Sequence, residues 1–252
     1  MGEQESLVTI LMTNYNDGRF IRESIESVFA QTYRPFEFRI IDDGSTDNSK
    51  EVIEKLYRMH QDPLAIFRKP IYLLRNVGIN AALNIGIPLV EGYITIIFDA
   101  DDIIDPRYVE LTTHTLLENR KRGISFVYTD NRLIDENGDT FRDKDGKEVR
   151  LPWTDFDPKL LPDNSYIPGC AIIFTEALKS ALPLDETIRK RTKHHRWKKI
   201  VAEGYMGMRI PEQLALYRMH GNNNSGIGKS LREAVNSGRP VGTISDYWLP
   251  VN

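Results

Sequence analysis

The stretch "YITIIFDADDIIDP", Tyr93 to Pro106, runs an apolar, β-branched segment straight into four carboxylates: Asp99, Asp101, Asp102 and Asp105. Two unit charges 4 Å apart repel by about 1 kcal/mol in water and by about 4 kcal/mol at an effective dielectric of 20. A partly enclosed cluster therefore raises its own pKa values unless a cation joins it. A hard divalent ion, Mg2+ or Mn2+, holding a diphosphate is the chemistry that suits Asp99, Asp101 and Asp102; the plain alternative is a solvated acidic turn. Asp105 has a simpler reading, as a helix N-cap ahead of Pro106 at the first helical position.

Two other polar clusters follow apolar runs. In "IIDDGSTDNS" Asp42 and Asp43 stand where a carboxylate could accept from a base N–H or a ribose hydroxyl, and Gly44 lets the chain turn close to a ligand. An ordinary turn explains the same residues, and Asp47 reads as a helix cap. In "TNYN" (13–16) Tyr15 is placed to stack on a nucleobase or simply to pack.

These clusters need elements to position them. "LVTILMT" (7–13), "FEFRIID" (36–42), "IYLL" (71–74), "YITIIFD" and "ISFVYTD" read as strands. Between them, "DGRFIRESIESVFAQ", "STDNSKEVIEKLYRM", "INAALNIGIPLV" and "PRYVELTTHTLLENR" carry helical periodicity, with Asp17 as the expected cap of the first and Pro88 ending the third early. Alternation of this kind predicts an α/β fold, a Rossmann-like and mostly parallel sheet with helices on both faces. After about residue 130 the pattern becomes mixed. "DENGDT" and "KDGK" signal tight turns of β-ribbons, "GCAIIFT" a strand, "KHHRWKKIVAEG" a helix and "MGMRIPEQLALYRMH" two short strands; 221–230 reads as a mobile loop. In open parallel sheets ligands bind beyond the carboxyl ends of the strands. "TNYN", "DDGSTD", "RNVG" (75–78) and "DADD" (99–102) all fall there.

The 252 residues, 40% of them hydrophobic, suffice for one large domain, and a net charge of −3 gives no reason to expect nucleic acid. The lone Cys170 excludes an intrachain disulfide framework and a multi-cysteine zinc site. The first residues lack a basic, apolar secretory pattern, and no apolar run approaches the roughly 18 residues of a membrane span. The expectation is a cytoplasmic protein, with peripheral contact at the inner face of a membrane left open and no reading of its oligomeric state.

Together the stretches "VTILMTNYNDGRFIRESIESVFAQTY", "FEFRIIDDGSTDNS", "RNVGINAALNIGI", "EGYITIIFDADDIIDP" and "IPEQLALYRMHGNNNS", in this order over residues 7–225, resemble the family 2 glycosyltransferases of the GT-A fold. The resemblance implies a single domain over 1–225, with a nucleotide-sugar-binding half (1–105) and an acceptor-side half (106–225), followed by a tail (226–252). It implies a nucleoside-diphosphate sugar donor, UDP-linked, and an inverting transfer to an acceptor hydroxyl in glycan or polysaccharide synthesis. By the same resemblance, Thr13 and Tyr15 line the base pocket and Asp43 pairs with the base. Asn76, Gly78 and Asn84 shape the donor loop, and Arg75 supplies charge near the diphosphate. Asp99 and Asp101 form the D-x-D element, with Asp101 on Mn2+ or Mg2+ and Asp99 near the ribose or the metal; Asp102 supports it, and His220 completes the metal site or contacts the diphosphate.

The pattern breaks on the helix before Gly204. Relatives place an acidic pair there, and this chain has Thr192 and Lys193 inside a basic run. His194 or His195 could replace the missing base. Alternatively Lys193 and Arg196 bind an anionic acceptor in place of a neutral glycan or lipid-linked one, the protein binds sugar nucleotides with little or no transfer, or the run is a solvated face. A register slip would put the base among Asp155, Asp157, Asp185 and Glu186. A sugar-1-phosphate nucleotidyltransferase is a more distant reading, since "MTNYNDGRF" lacks a glycine-rich phosphate loop.

Overall fold

The computed structural model describes residues 6–142, 145–151 and 153–220. The loop expected at 221–230 and the tail at 226–252 lie outside the described residues. The element order is β1 (Val8–Asn14), α1 (Ile21–Phe29), β2 (Phe36–Asp42), α2 (Ser49–Met59), β3 (Ala65–Phe67), β4 (Ile71–Tyr72), α3 (Ile79–Gly86), β5 (Ile94–Asp99), β6 (Ile103–Ile104), α4 (Tyr108–Asn119), β7 (Ile124–Ile134), β8 (Arg150–Leu151), β9 (Ile172–Phe174), α5 (Thr175–Ser180), α6 (Thr192–Ala202) and β10 (Met206–Arg218).

One sheet runs in the order β3-β2-β1-β5-β9-β7-β10-β6, with β4 beside β2 and β8 beside β7. β2, β1 and β5 are parallel, as are β7 and β10; β9 joins the two groups antiparallel to both. β1 is buried along its whole length, as expected of a strand covered on both faces. The helices divide between those faces. Phe29 of α1 packs on Phe36 and Phe38, while the backbone of α3 at Gly86 lies against Ile41 and Leu11. Side chains alternate along a strand, so Phe38 and Ile41 point to opposite sides. A Cβ at Gly86 would come within 2.4 Å of the Ile41 side chain, so the α3 contact depends on glycine.

The expected strands and helices of the first half are present, with three differences. α1 has no side-chain cap: the Asp17 carbonyl, not its carboxylate, accepts the Phe20 and Ile21 N–H groups. Asp105 caps two residues upstream of the helix it precedes, accepting the Arg107 N–H at 3.0 Å. The short strand β3, carried by only three residues, was not anticipated. Further on, "MGMRIPEQLALYRMH" forms one strand rather than two. β10 keeps its pairing with β7 by shifting register around Ile210–Ala215, where Pro211 has no N–H to give the ladder.

Candidate active site

A cavity of about 550 Å³ opens beyond the carboxyl ends of β1, β2 and β5 and is closed on its far side by residues 165–170 and the start of α6. Thr13, Tyr15, Asp43, Asn76, Gly78 and Asp99 all line it. The rim is tied together by the side chains that end the strands. Asn14 donates to Asp42 at 2.5 Å, and Asn16, held at a positive φ of 58°, accepts the Thr46 N–H at 2.8 Å. Asp43 accepts the Val77 and Gly78 N–H groups, one on each carboxylate oxygen, both at 2.8 Å. Its first task is thus to fix the loop entering α3. Gly44 is required beneath that loop, because its φ is +71° and a Cβ would lie 2.4 Å from the Arg75 carbonyl carbon. Tyr15 is 45% exposed, so its ring is a wall of the cavity rather than packing.

Two residues expected on the donor side stand outside the cavity lining. Arg75 is exposed and is not among the lining residues. Asn84 faces away: its amide donates to the Leu184 carbonyl and Glu186 at 2.9 Å and accepts the Leu184 N–H at 2.8 Å. It staples α3 to the 184–186 segment, as Asn80 does through the Asp185 carbonyl.

Asp99, Asp101 and Asp102 each offer a carboxylate oxygen, all within 4.8 Å of one another. Each carboxylate also has a protein partner. Asp99 is ion-paired with Lys193, Asp101 meets the His220 Nε2 at 3.0 Å, and Asp102 accepts the Arg218 N–H at 3.0 Å. Arg218, buried at the end of β10, binds the Asp101 carbonyl and Glu23 and so locks the turn in place. Burial, with Asp101 and Asp99 beside it, raises the Asp102 carboxyl well above the ordinary aspartate range. His220 is buried with its ring 4.8 Å from that of Phe20.

Asp17 is the residue that sequence reasoning missed. Assigned only a cap, it lines the cavity, and burial together with the charges of Asp101, Asp99 and Asp47 pushes its carboxyl up to about 7. The one available signal was the sequence position, three residues past the end of β1 on the ligand-binding rim.

On the acceptor side, α6 brings Lys193 and His194 to the cavity, whereas His195 and Arg196 are not lining residues. His194 is 1% exposed, and its ring has no well-formed hydrogen bond, only a looser contact with the Pro162 backbone. Burial, with the neighbouring Lys198 and His195 charges, lowers it to about 4. The ring is therefore neutral at pH 7 but a weak proton acceptor. Arg196 is buried without partners for Nη1 and Nη2, and burial pulls its guanidinium down to about 10 against the favourable charge of Asp99. The four acids weighed as alternatives to the base stand elsewhere. Asp155 pairs with Arg209, Asp157 and Asp185 accept nearby backbone N–H groups, Glu186 holds Asn84, and none of the four lines the cavity.

Solved structures with this architecture are glycosyltransferases of the GT-A fold. Staphylococcus aureus TarS in complex with UDP-GlcNAc matches 86% of the chain at a TM-score of 0.65 and 18% identity, covering 60% of that chain. The mannosyltransferase PcManGT of Pyrobaculum calidifontis, in complex with GDP-Man and Mn2+, matches 92% at 0.65 and 17%, covering 63%. In sequence, an uncharacterised glycosyltransferase of Nostoc is 29% identical over 86% of this chain and 66% of its own length. The chondroitin synthase of Pasteurella multocida is 36% identical over 52% of this chain and 13% of its own. Residues 9–180 match glycosyl transferase family 2, and the chain belongs to that family. Among the described residues no helix is long and apolar enough to cross a membrane.

Proposed function

We propose that the protein transfers a sugar from a nucleoside-diphosphate donor, UDP-linked, to an acceptor hydroxyl with inversion. The observation that carries this reading is the convergence, in one cavity, of the exposed Tyr15 ring, the anchored Asp43 and the aspartate cluster at the end of β5. Tyr15 and Thr13 form the wall for the base, and Asp43 retains lone pairs for a base N–H beyond the two backbone groups it holds. Asn76 and Gly78 border the diphosphate. The three carboxylates are hard oxygen donors close enough to share one ion, which fits Mn2+ or Mg2+, with His220 orienting Asp101. When bound, such an ion offsets the negative charge that grows on the departing diphosphate. The acceptor oxygen attacks the anomeric carbon as the bond to the β-phosphate oxygen breaks, and its proton leaves to a base. Lys193 and the arginines of the 189–191 segment give the acceptor side a positive rim that suits an anionic glycan or lipid-linked acceptor. The neighbours' complexes with UDP-GlcNAc and with GDP-Man and Mn2+ support the donor class.

A second reading has its own observation. With Lys193 at the place of the usual acid and His194 held near 4, the cavity is equipped to bind a sugar nucleotide better than to take a proton. Calorimetric titration of UDP with and without Mn2+, on wild type and Asp101→Ala, tests donor binding. Metal-dependent affinity that drops at least tenfold in the variant supports the site, and unchanged affinity removes it. Donor turnover with anionic acceptors then separates transfer from binding alone.

A further inference from the structure

Lys193 stands at the second residue of α6, just after Arg191, which enters the helix at a positive φ of 54°. That entry directs the first turn into the cavity, and the Lys193 ammonium meets Asp99. Its stem runs over Gly169. A Cβ there would lie 2.7 Å from Nζ, 2.8 Å from Cε and 2.9 Å from Cδ, so the end of the stem would have to shift from its path. The ion pair thus places a fixed positive charge on one of the three carboxylates that could coordinate a metal.

We infer that Lys193 is a resident cation of the aspartate cluster, which shares Asp99 with the divalent ion and must be displaced from it for that ion to bind. The inference rests on reading the cluster as a divalent-ion site. A carboxylate oxygen engaged by an ammonium is a poorer ligand, and two cations at one carboxylate repel. Without nucleotide, the pair therefore holds metal affinity down. A bound diphosphate offers the displaced ammonium new oxygens, which couples metal entry to donor entry.

The test is titration of Mn2+ alone, without nucleotide, following the free aqueous ion by electron paramagnetic resonance. Lys193→Met should tighten Mn2+ binding at least tenfold. Gly169→Ala retains the charge but obstructs the stem, and should tighten it by a smaller factor; it decides the matter if Lys193→Met does not fold. A salt bridge that merely fastens α6 to β5 predicts no tightening in either variant. Equal affinity in all three proteins overturns the role of Lys193 and leaves the metal site standing. Absence of Mn2+ binding in all of them overturns both.

Discussion

Asp17 and Asp43 show what single carboxylates do at this rim. Asp17 has a folded-state pKa of about 7 against an ordinary 3.8. Between those values the native state holds a proton that the unfolded chain has released, so stability falls as pH rises from about 4 to about 7, and the full cost persists above that. Metal-free Asp17→Asn should match wild type near pH 4 and exceed it at pH 8. The margin is on the order of 1 kcal/mol after discounting for the solvent that reaches the group, about 2–4 °C in Tm. A divalent ion should narrow the gap, and a margin independent of pH would refute the argument. Asp43→Asn tests the other role. An amide has one acceptor oxygen, so either the Val77 or the Gly78 N–H loses its partner and faces an NH2 group. The expected cost is about 1–3 kcal/mol of stability together with weaker nucleotide binding; thermal melts and UDP titration measure the two. The acidic cluster was legible because four carboxylates crowd one strand end. The partners of Asn84 were not legible, because a motif fixes which residue is present but not which way its amide turns.

At the scale of elements, the parallel sheet was readable from its apolar runs. β3 escaped notice because three residues give too little pattern to distinguish a strand from a loop. β10 was divided because Pro211 and the polar Glu212 and Gln213 interrupt the alternation, and only pairing with β7 along its length makes the segment one strand. The end of the sheet away from the cavity holds a buried charge that sequence could not have located. Glu37 is fully buried and accepts from Thr9 at 2.6 Å, from Arg39 and Arg68, and from the Glu91 N–H at 2.8 Å. These donors keep it ionised, lowering its pKa in spite of burial. Glu37→Ala leaves Arg39 and Arg68 with Glu91 as their remaining carboxylate and takes the acceptor from the Thr9 hydroxyl and the Glu91 N–H. The expected loss is about 1–3 kcal/mol in chemical denaturation. Nucleotide affinity should hold in the folded fraction, because the cavity lies at the opposite strand ends. A parallel loss of affinity would show that the two ends of the sheet are coupled.

At the scale of the whole molecule, the question is whether the donor side and the acceptor side are one folding unit. In the proposed reading, donor residues come from the ends of β1, β2 and β5, and acceptor-side residues from residues 189–191 and α6. The two groups of parallel strands meet only through β9, whose three residues pair with β5 on one edge and β7 on the other. Ile172, Ile173 and Phe174 are nonetheless all buried, and one continuous core runs from Val8 through Phe98 to Phe126, Trp197 and Ile200. Two further ties join the sides, the Lys193–Asp99 ion pair across the cavity and the Asn84 staple to residues 184–186 outside it. A core continuous across the strand junction makes separate unfolding of either side expose apolar surface on both, which favours one cooperative transition. Calorimetry should therefore show a single peak with equal calorimetric and van't Hoff enthalpies. If the donor binds as proposed, nucleotide with Mn2+ should move that whole peak upward, by about 2.7 kcal/mol of stability when ligand stands at 100 times its Kd. Two peaks, with only one responding to nucleotide, would mean that β9 is a hinge between independently stable halves and that the acceptor side is positioned only after the donor is held.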